Sequence, residues 1–478
     1  MKRIGVLPDE ALLKIFDFYM NENPIHSAKW RAHAWLSLVH VCRRWRSLVF
    51  LSPLRMNLQL YCTPQTPAKD TLDLWPPLPL VIHGSIASSP NTDNVIAALG
   101  QNDRVCNVEL HLAGWQLQEV LAAMQVPFPE LTDLRLWSHN ETPPVIPDSF
   151  LDGYSPRLRN FSLHGILFKF PGLRNVLLSA AHLVFLNLSA IPHSGYVSPE
   201  TMVAFLSVMS NLEIFSLGFR SPRSRPNLES RSLPRLKRSI LPALRRLHFK
   251  GVIEYLEELV TRIDTPQVDG MDITFFNQID FNCRRLAQFI NHAPKLRSRD
   301  EVHVQFDDNI AGISLRNRTS DFSLRVCELL INISCRETDW QLSSVEQVCK
   351  SFYPLATVED LYIEHGYSQL IWKNDAIENI LWLELLLHFT AVKNLYLSKE
   401  FAPGVATALQ GLVGRTEVLP RLQNIFVEGL EPLGPLQESI EQFVAARKLS
   451  GHPIAISVST SWTWKKQPKG SRRMSFVV

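Results

Sequence analysis

From residue 80 onward the chain repeats one short pattern, and that repetition restricts its possible folds more than any other feature. Pairs of apolar residues flanking a single residue recur as Val108-Glu-Leu110, Leu134-Arg-Leu136, Phe161-Ser-Leu163, Leu186-Asn-Leu188, Phe215-Ser-Leu217, Leu247-His-Phe249 and Ile273-Thr-Phe275. They continue as Val302-His-Val304, Ile331-Asn-Ile333, Leu361-Tyr-Ile363, Leu395-Tyr-Leu397, Ile425-Phe-Val427 and Ile456-Ser-Val458, with first members 25 to 34 residues apart. Alternation of this kind is strand periodicity. Many runs follow an apolar residue three positions earlier, as in Pro129-Glu-Leu131 and Pro420-Arg-Leu422. Between them, segments 116–125, 201–209, 253–263, 284–291, 376–389 and 436–447 carry apolar residues at i, i+3 and i+4, the spacing of helices.

One strand and one helix cannot bury both of their apolar faces, whereas stacked copies can. The pattern therefore predicts an α/β solenoid over residues 80–461, with a parallel sheet and outer helices. The period and the L-x-x-L-x-L core resemble leucine-rich repeats. The generic alternative, a doubly wound α/β domain, is disfavoured by thirteen strands at one period and by the lack of a phosphate-binding glycine loop.

Composition narrows the function. Of 478 residues, 46% are hydrophobic and 20% charged, enough for a large core. Lys plus Arg is 49 and Asp plus Glu is 46, so no general attraction to nucleic acid or to a membrane is expected. Seven scattered cysteines without a C-x-x-C predict neither disulfides nor a metal site, and suit a reducing compartment, the cytoplasm and/or nucleus. The N-terminus lacks the long apolar core of a secretory signal. Residues 175–199 contain no Asp, Glu, Lys or Arg, but His182, Asn187, Pro192, His193 and Gly195 interrupt them. A short helix and a buried strand are expected there, not a bilayer span. No phosphate loop, no G-x-S-x-G and no H-E-x-x-H occurs, so no enzyme, catalytic residue or cofactor is expected.

The N-terminal region has a different period. Leu12, Ile15, Phe16 and Tyr19 follow helical spacing, as do Val41, Trp45 and Leu48, and Pro8 suits a first helical turn. A helical module of about 45 residues buries too little surface to stand alone. Leu7, Ile15, Phe16, Val41 and Trp45 exceed what it can enclose, so an apolar patch seeking a partner is expected. The ordered motif Leu7-Pro8, Ile15-Phe16, then Val41-Cys42-Arg-Arg-Trp45 resembles the F-box, and the connector 58–81 looks like that of many fungal F-box proteins.

The resemblance implies an F-box over 1–58, a Pro-rich connector over 59–79, the solenoid over 80–461 and a basic tail over 462–478. It further implies that Leu7, Pro8, Ile15, Phe16, Val41, Cys42 and Trp45 bind the adaptor Skp1, which links the chain to a cullin ubiquitin ligase. The solenoid would then bind a protein target, and the chain would act as substrate receptor. The alternative is a binding scaffold without ubiquitin-ligase output. Asn21 to His33 makes a longer, more polar link between the first two helices than the family shows.

In each strand the residues between the apolar pair face away from the helices. On that open face Tyr362, Tyr396 and Phe426 hold one register in three consecutive repeats, and parallel strands lie ~4.8 Å apart, close enough for ring stacking. These are candidate target-binding residues; alternatively Trp462-Thr-Trp464 folds back over them. A Ser/Pro-rich stretch carrying Arg220, Arg223 and Arg225 is the second candidate, a clamp for a phosphorylated or acidic segment or else a solvated loop.

Overall fold

A computed structural model describes residues 7–21, 38–50, 58–63, 67–74, 77–85, 91–139, 142–168, 172–226, 238–297, 299–316, 329–335, 337–365, 376–410, 418–428 and 435–459. They fall into two compact units. The first comprises Met1–Val197 with Ala204–Leu212, and the second Ser198–Val203 with Glu213–Val478.

In the first unit, helices Asp9–Asn21 and Arg43–Phe50 precede a parallel sheet. Its strands are β1 (Leu58–Tyr61), β2 (Leu80–Ser85), β3 (Val105–Leu112), β4 (Asp133–Ser138), β6 (Asn160–His164) and β8 (Phe185–Ile191), paired in that order. The two-residue strands β5 (Val145–Ile146) and β7 (Leu167–Phe168) form a separate pair. Because β1 pairs with β2, the sheet begins inside the segment expected to be a connector. Residues 175–199 hold the end of helix Gly172–Ser179 and then β8, a short helix and a buried strand. Among the described residues no helix is long and apolar enough to cross a membrane.

In the second unit the strands are β9 (Ile214–Phe219), β10 (Ser239–Ile240), β11 (Arg246–Gly251), β12 (Ile263–Asp264), β13 (Gly270–Phe276), β14 (Glu301–Asp307), β15 (Ile310–Arg316), β16 (Leu329–Ser334), β17 (Asp360–His365), β18 (Asn394–Leu397), β19 (Asn424–Glu428) and β20 (Ala455–Ser459). Strands β10 and β12 pair separately, and the main sheet runs β9-β11-β13-β16-β15-β14-β17-β18-β19-β20. All thirteen strands of the repeat pattern are present across the two units.

The expected uniformly parallel sheet is not observed. Strand β15 is antiparallel to both β14 and β16, so β13 neighbours β16 and β14 neighbours β17. The turn Asp307-Asp308-Asn309 sends the chain straight back instead of into a helix, and the alternation of Ile310-Ala-Gly-Ile-Ser-Leu-Arg316 makes a strand of the return.

Helices pack against the apolar face of the sheet in both units. Tyr255 of helix Ile253–Arg262 is fully buried and packs on Phe219 of β9 and Phe249 of β11, at ring-centroid distances of 4.8 and 5.8 Å. Trp382 of helix Ala376–Leu386 meets Phe306 of β14 edge-on at 5.7 Å. Each such side chain, taken fully out of water, contributes about 1.5–3 kcal/mol.

A polar rung lies at the start of several strands. Asn160 donates its side-chain amide to Asp133 at 2.6 Å, Asn394 to Asp360 at 2.5 Å, and Asn424 to Asn394 at 2.7 Å. An Asn or Asp immediately before the apolar pair thus satisfies its neighbour across the sheet and helps fix the register.

A left-handed residue follows β6, and another lies near the end of β8. Gly165 has φ +67° and Ala190 has φ +50°, and the preceding His164 and Ser189 are register partners. A Cβ on Gly165 would stand 2.8 Å from the Ser138 carbonyl oxygen. Gly165→Ala is expected to lower the free energy of unfolding by about 1–3 kcal/mol, the range for locally strained backbone. Ala190→Gly is expected to leave it unchanged or raise it by up to about 1 kcal/mol, because relief of left-handed strain is offset by a freer unfolded chain. Urea midpoints of the two variants check both signs.

Candidate functional site

The N-terminal helices are tied by one arginine. Arg44 of helix Arg43–Phe50 donates to the Asp9 carboxylate at 2.5 Å and to the Leu7 carbonyl at 2.5 Å, holding the start of helix Asp9–Asn21. The carbonyl of Pro8 accepts from Leu12 N at 3.1 Å, as the first turn of that helix requires. Cys42 Sγ accepts from Trp45 N at 3.5 Å and so caps the second helix.

Packing divides the seven residues singled out by the motif. Phe16 is fully buried, and half-buried Trp45 lies against it at 4.7 Å between centroids. Leu7, Ile15 and Val41 are exposed by 37%, 47% and 58%. Pro8 and Cys42 are also exposed. Phe18, which the motif did not single out, is the most exposed of the group at 65% and shares the i, i+3 face of Ile15. Its signal was available: a fourth large apolar residue in a helix whose buried stripe, Leu12 and Phe16, was already filled.

In the second unit the open face carries a stack of rings. Tyr362 of β17, Tyr396 of β18 and Phe426 of β19 are register partners and half-buried. Their centroids are 4.1 and 4.6 Å apart, with ring planes within 8° of parallel. The stack has a fourth member, His303 of β14, 4.3 Å from Tyr362 and tilted by 6°. Sequence order hides this rung, because β15 and β16 intervene in the chain between β14 and β17. Trp462 and Trp464, the alternative cover for these rings, lie outside the described residues.

His303 is held from the next row of the same face. Its Nδ1 is 2.7 Å from Glu364 Oε1, and Gln305 donates to Glu364 Oε2 at 2.9 Å. Both His303 and Glu364 are buried. Burial opposes a charged imidazolium, as does Arg316, but the attraction of Glu301 and Glu364 outweighs both and raises the His303 pKa above its ordinary value.

The first unit carries a smaller stack on its open face. His111 lies on Trp137 at 4.2 Å, and Tyr61 on His83 at 5.2 Å. His111 and His83 each stand 3.8 Å from Glu109, and with Arg135 they hold its carboxyl below the ordinary range despite burial.

The basic stretch is partly engaged within the chain. Arg220 and Arg223 are exposed, but Arg225 donates to the Pro222 carbonyl at 3.1 Å and faces Glu254 at 3.7 Å. Residues 227–237 of that stretch lie outside the described residues.

Cys62, Cys106, Cys283 and Cys349 carry little nucleophilic character. Burial pushes Cys62 up to about 12 and Cys106 up to about 11, and Cys283 and Cys349 rise as well. Such thiols stay protonated at neutral pH. Cys327 lies outside the described residues. Among the described residues no group of three or more His, Cys, Asp or Glu gathers as a metal site. A cavity of about 80 Å³ beside helix Arg284–His292, lined by Asp264, Arg285, Phe289 and His292 among others, falls short of the ~300–1,000 Å³ of small-molecule pockets.

These features define an α/β repeat protein with mostly parallel sheets, helices on their apolar faces and ring stacks on their open faces. No protein-family model matches the chain, and no curated protein matches it.

Proposed function

We propose that the chain is the substrate-receptor subunit of a Skp1–cullin–F-box ubiquitin ligase, active in the cytoplasm or nucleus. One observation supports this reading above the others. Leu7, Ile15 and Val41, which the F-box resemblance assigns to Skp1, are exposed on or just before two helices pinned together by Arg44, while Phe16 and Trp45 pack against each other. Large apolar side chains held in water by an ordered scaffold favour a partner that covers them. The open sheet face, with His303, Tyr362, Tyr396 and Phe426, then receives the target. No side chain here performs chemistry in this scheme. The chain holds a target lysine near an enzyme carried by other subunits, and the rate gain is one of proximity.

The test is capture of Skp1 and cullin by the full chain beside a Leu7→Ala/Ile15→Ala/Val41→Ala variant. These positions are exposed, so the variant is expected to keep its far-ultraviolet dichroism and thermal midpoint. Capture by the native chain and at least a tenfold loss in the variant are expected. Absence of capture by the folded native chain, or equal capture by both, would overturn the receptor reading and leave a repeat-based binding scaffold.

A further inference from the structure

Partly buried cations in this protein are generally matched. Arg262 meets Glu200 at 2.6 Å and Glu258 at 2.9 Å, Lys393 meets Glu359 at 2.6 Å, and Arg104 donates to the Leu78 carbonyl at 2.9 Å. Lys250 departs from this. It lies on the open face of β11, in register with Gly218 of β9 and Thr274 of β13. It is half-buried, and burial alone pulls its pKa below the ordinary lysine value. Among the described residues its ammonium has neither hydrogen-bond nor ion-pair partner.

The neighbours add positive charge. Arg220, one residue beyond the end of β9 and on the same side as Gly218, is diagonal to Lys250, exposed and likewise unpaired. His248 and Arg246 share the open side of β11 with Lys250. The acid on the adjacent rung, Asp272 of β13, is in register with His248 and stands 3.7 Å from it. Gly218 has no side chain to fill the rung beside Lys250, and Thr274 on the other side offers a hydroxyl. The arrangement sets a partly desolvated ammonium in register with a buried glycine, with a guanidinium diagonal to it just past the end of the neighbouring strand. An ammonium that has already lost part of its hydration gains more from a counter-charge than one in open water.

We propose that Lys250 and Arg220 form an anion site that takes an oxyanion side chain, a carboxylate or a phosphate, from an extended peptide segment of a protein partner. The proposal rests on reading the open sheet face as the partner-binding face, but it does not depend on Skp1. It also revises the clamp expected from the sequence: Arg225 is engaged with Glu254, and Lys250 takes its place.

The test uses the full chain and three fluorescein-labelled peptides of one sequence, with serine, phosphoserine or glutamate at the central position. Fluorescence anisotropy is read at low and moderate salt. At least one charged peptide is expected to bind tenfold or more tightly than the serine peptide, weakening with salt. The stronger of the two identifies the oxyanion. Lys250→Gln/Arg220→Gln is expected to lower that affinity at least tenfold, and Lys250→Arg to keep most of it. As a readout in the native chain, acylation of Lys250 by an amine-reactive ester, located by mass spectrometry, is expected to fall when the charged peptide is bound. Equal binding of all three peptides, an affinity unchanged in the double variant, or a Lys250 acylated equally with and without peptide would each overturn the site. Tighter binding of single-stranded RNA than of any peptide would do the same.

Discussion

Glu364→Ala is expected to destabilise the second unit by about 3–5 kcal/mol and to abolish the part of its pH dependence that His303 supplies. The magnitude is that of breaking a buried charged pair by removing one partner. Glu364 and His303 are both buried, 2.7 Å apart, and the second carboxylate oxygen of Glu364 is bound by Gln305. Without Glu364, the imidazole keeps its burial and the proximity of Arg316, and the Gln305 amide loses its acceptor. The pH effect follows from linkage. His303 has a folded-state pKa above its unfolded value, so the native state binds the proton more tightly. The resulting stabilisation is fully present below the ordinary histidine pKa, near 6.5, and is lost as pH rises through the folded-state value. Urea unfolding of the native chain at pH 5.5 and pH 8.5 should therefore show this contribution at the lower pH, and the variant should lack it. A variant with the same pH difference as the native chain would remove His303–Glu364 as its source. Groups facing His303 from the adjoining strands are Glu301 on β14, Arg316 on β15 and Glu364 on β17, so Glu301→Gln serves as the control with a smaller effect.

Trp382→Ala is expected to cost about 3–5 kcal/mol, the range for truncating a buried aromatic. Trp382 is 1% exposed and packs against Phe306 and Phe401, each 5.7 Å away, while Phe306 and Phe401 are 5.2 Å apart. Three rings from a helix, a strand and a loop close one core, and no single neighbour can move into the space left by an indole. Trp382→Phe retains a ring there and is expected to lose less than half as much. Intrinsic unfolding midpoints of the two variants, measured beside the native chain, decide the matter: equal losses would mean that the indole edge, rather than its volume, carries the contribution.

The readable parts of this sequence are those in which one residue predicts its neighbour at a fixed offset. The apolar pairs were legible because a half-buried strand alternates, and the helices because their apolar stripe recurs at three and four. Tyr362, Tyr396 and Phe426 were legible as a stack because β17, β18 and β19 are adjacent both in sequence and in space. His303 was placed on the open face, but its membership of the stack was hidden. Its neighbour in space is the strand three further along the chain, and only the antiparallel return through β15 puts it there. That return lacked the signal used elsewhere, since Ile310–Arg316 follows a turn rather than a helix and has no apolar residue three positions ahead of a proline-led pair. The Asn and Asp rungs were in plain view one position before each pair. Their role emerges only when the partner strand is known. Lys250 is one of many residues on the open face, and nothing in sequence distinguishes a lysine with a counter-ion from one without.

The reversal at β15 also bears on how the second unit acquires its structure. Outside the β13–β17 region, neighbouring parallel strands are separated by roughly one repeat, so each closes a short loop onto a neighbour already formed. At the join between β14 and β17 the paired side chains are 61 residues apart in the chain, as with His303 and Glu364. Longer closures carry a larger entropic cost, and contacts of high sequence separation slow folding. Two pairings span the antiparallel return, β13 with β16 and β14 with β17, and neither forms by addition of the next strand in the chain. The ring stack crosses the second of these between His303 and Tyr362. The face proposed for target recognition is therefore complete only once a pairing between strands two repeats apart has closed, which ties competence to bind to long-range assembly of the sheet.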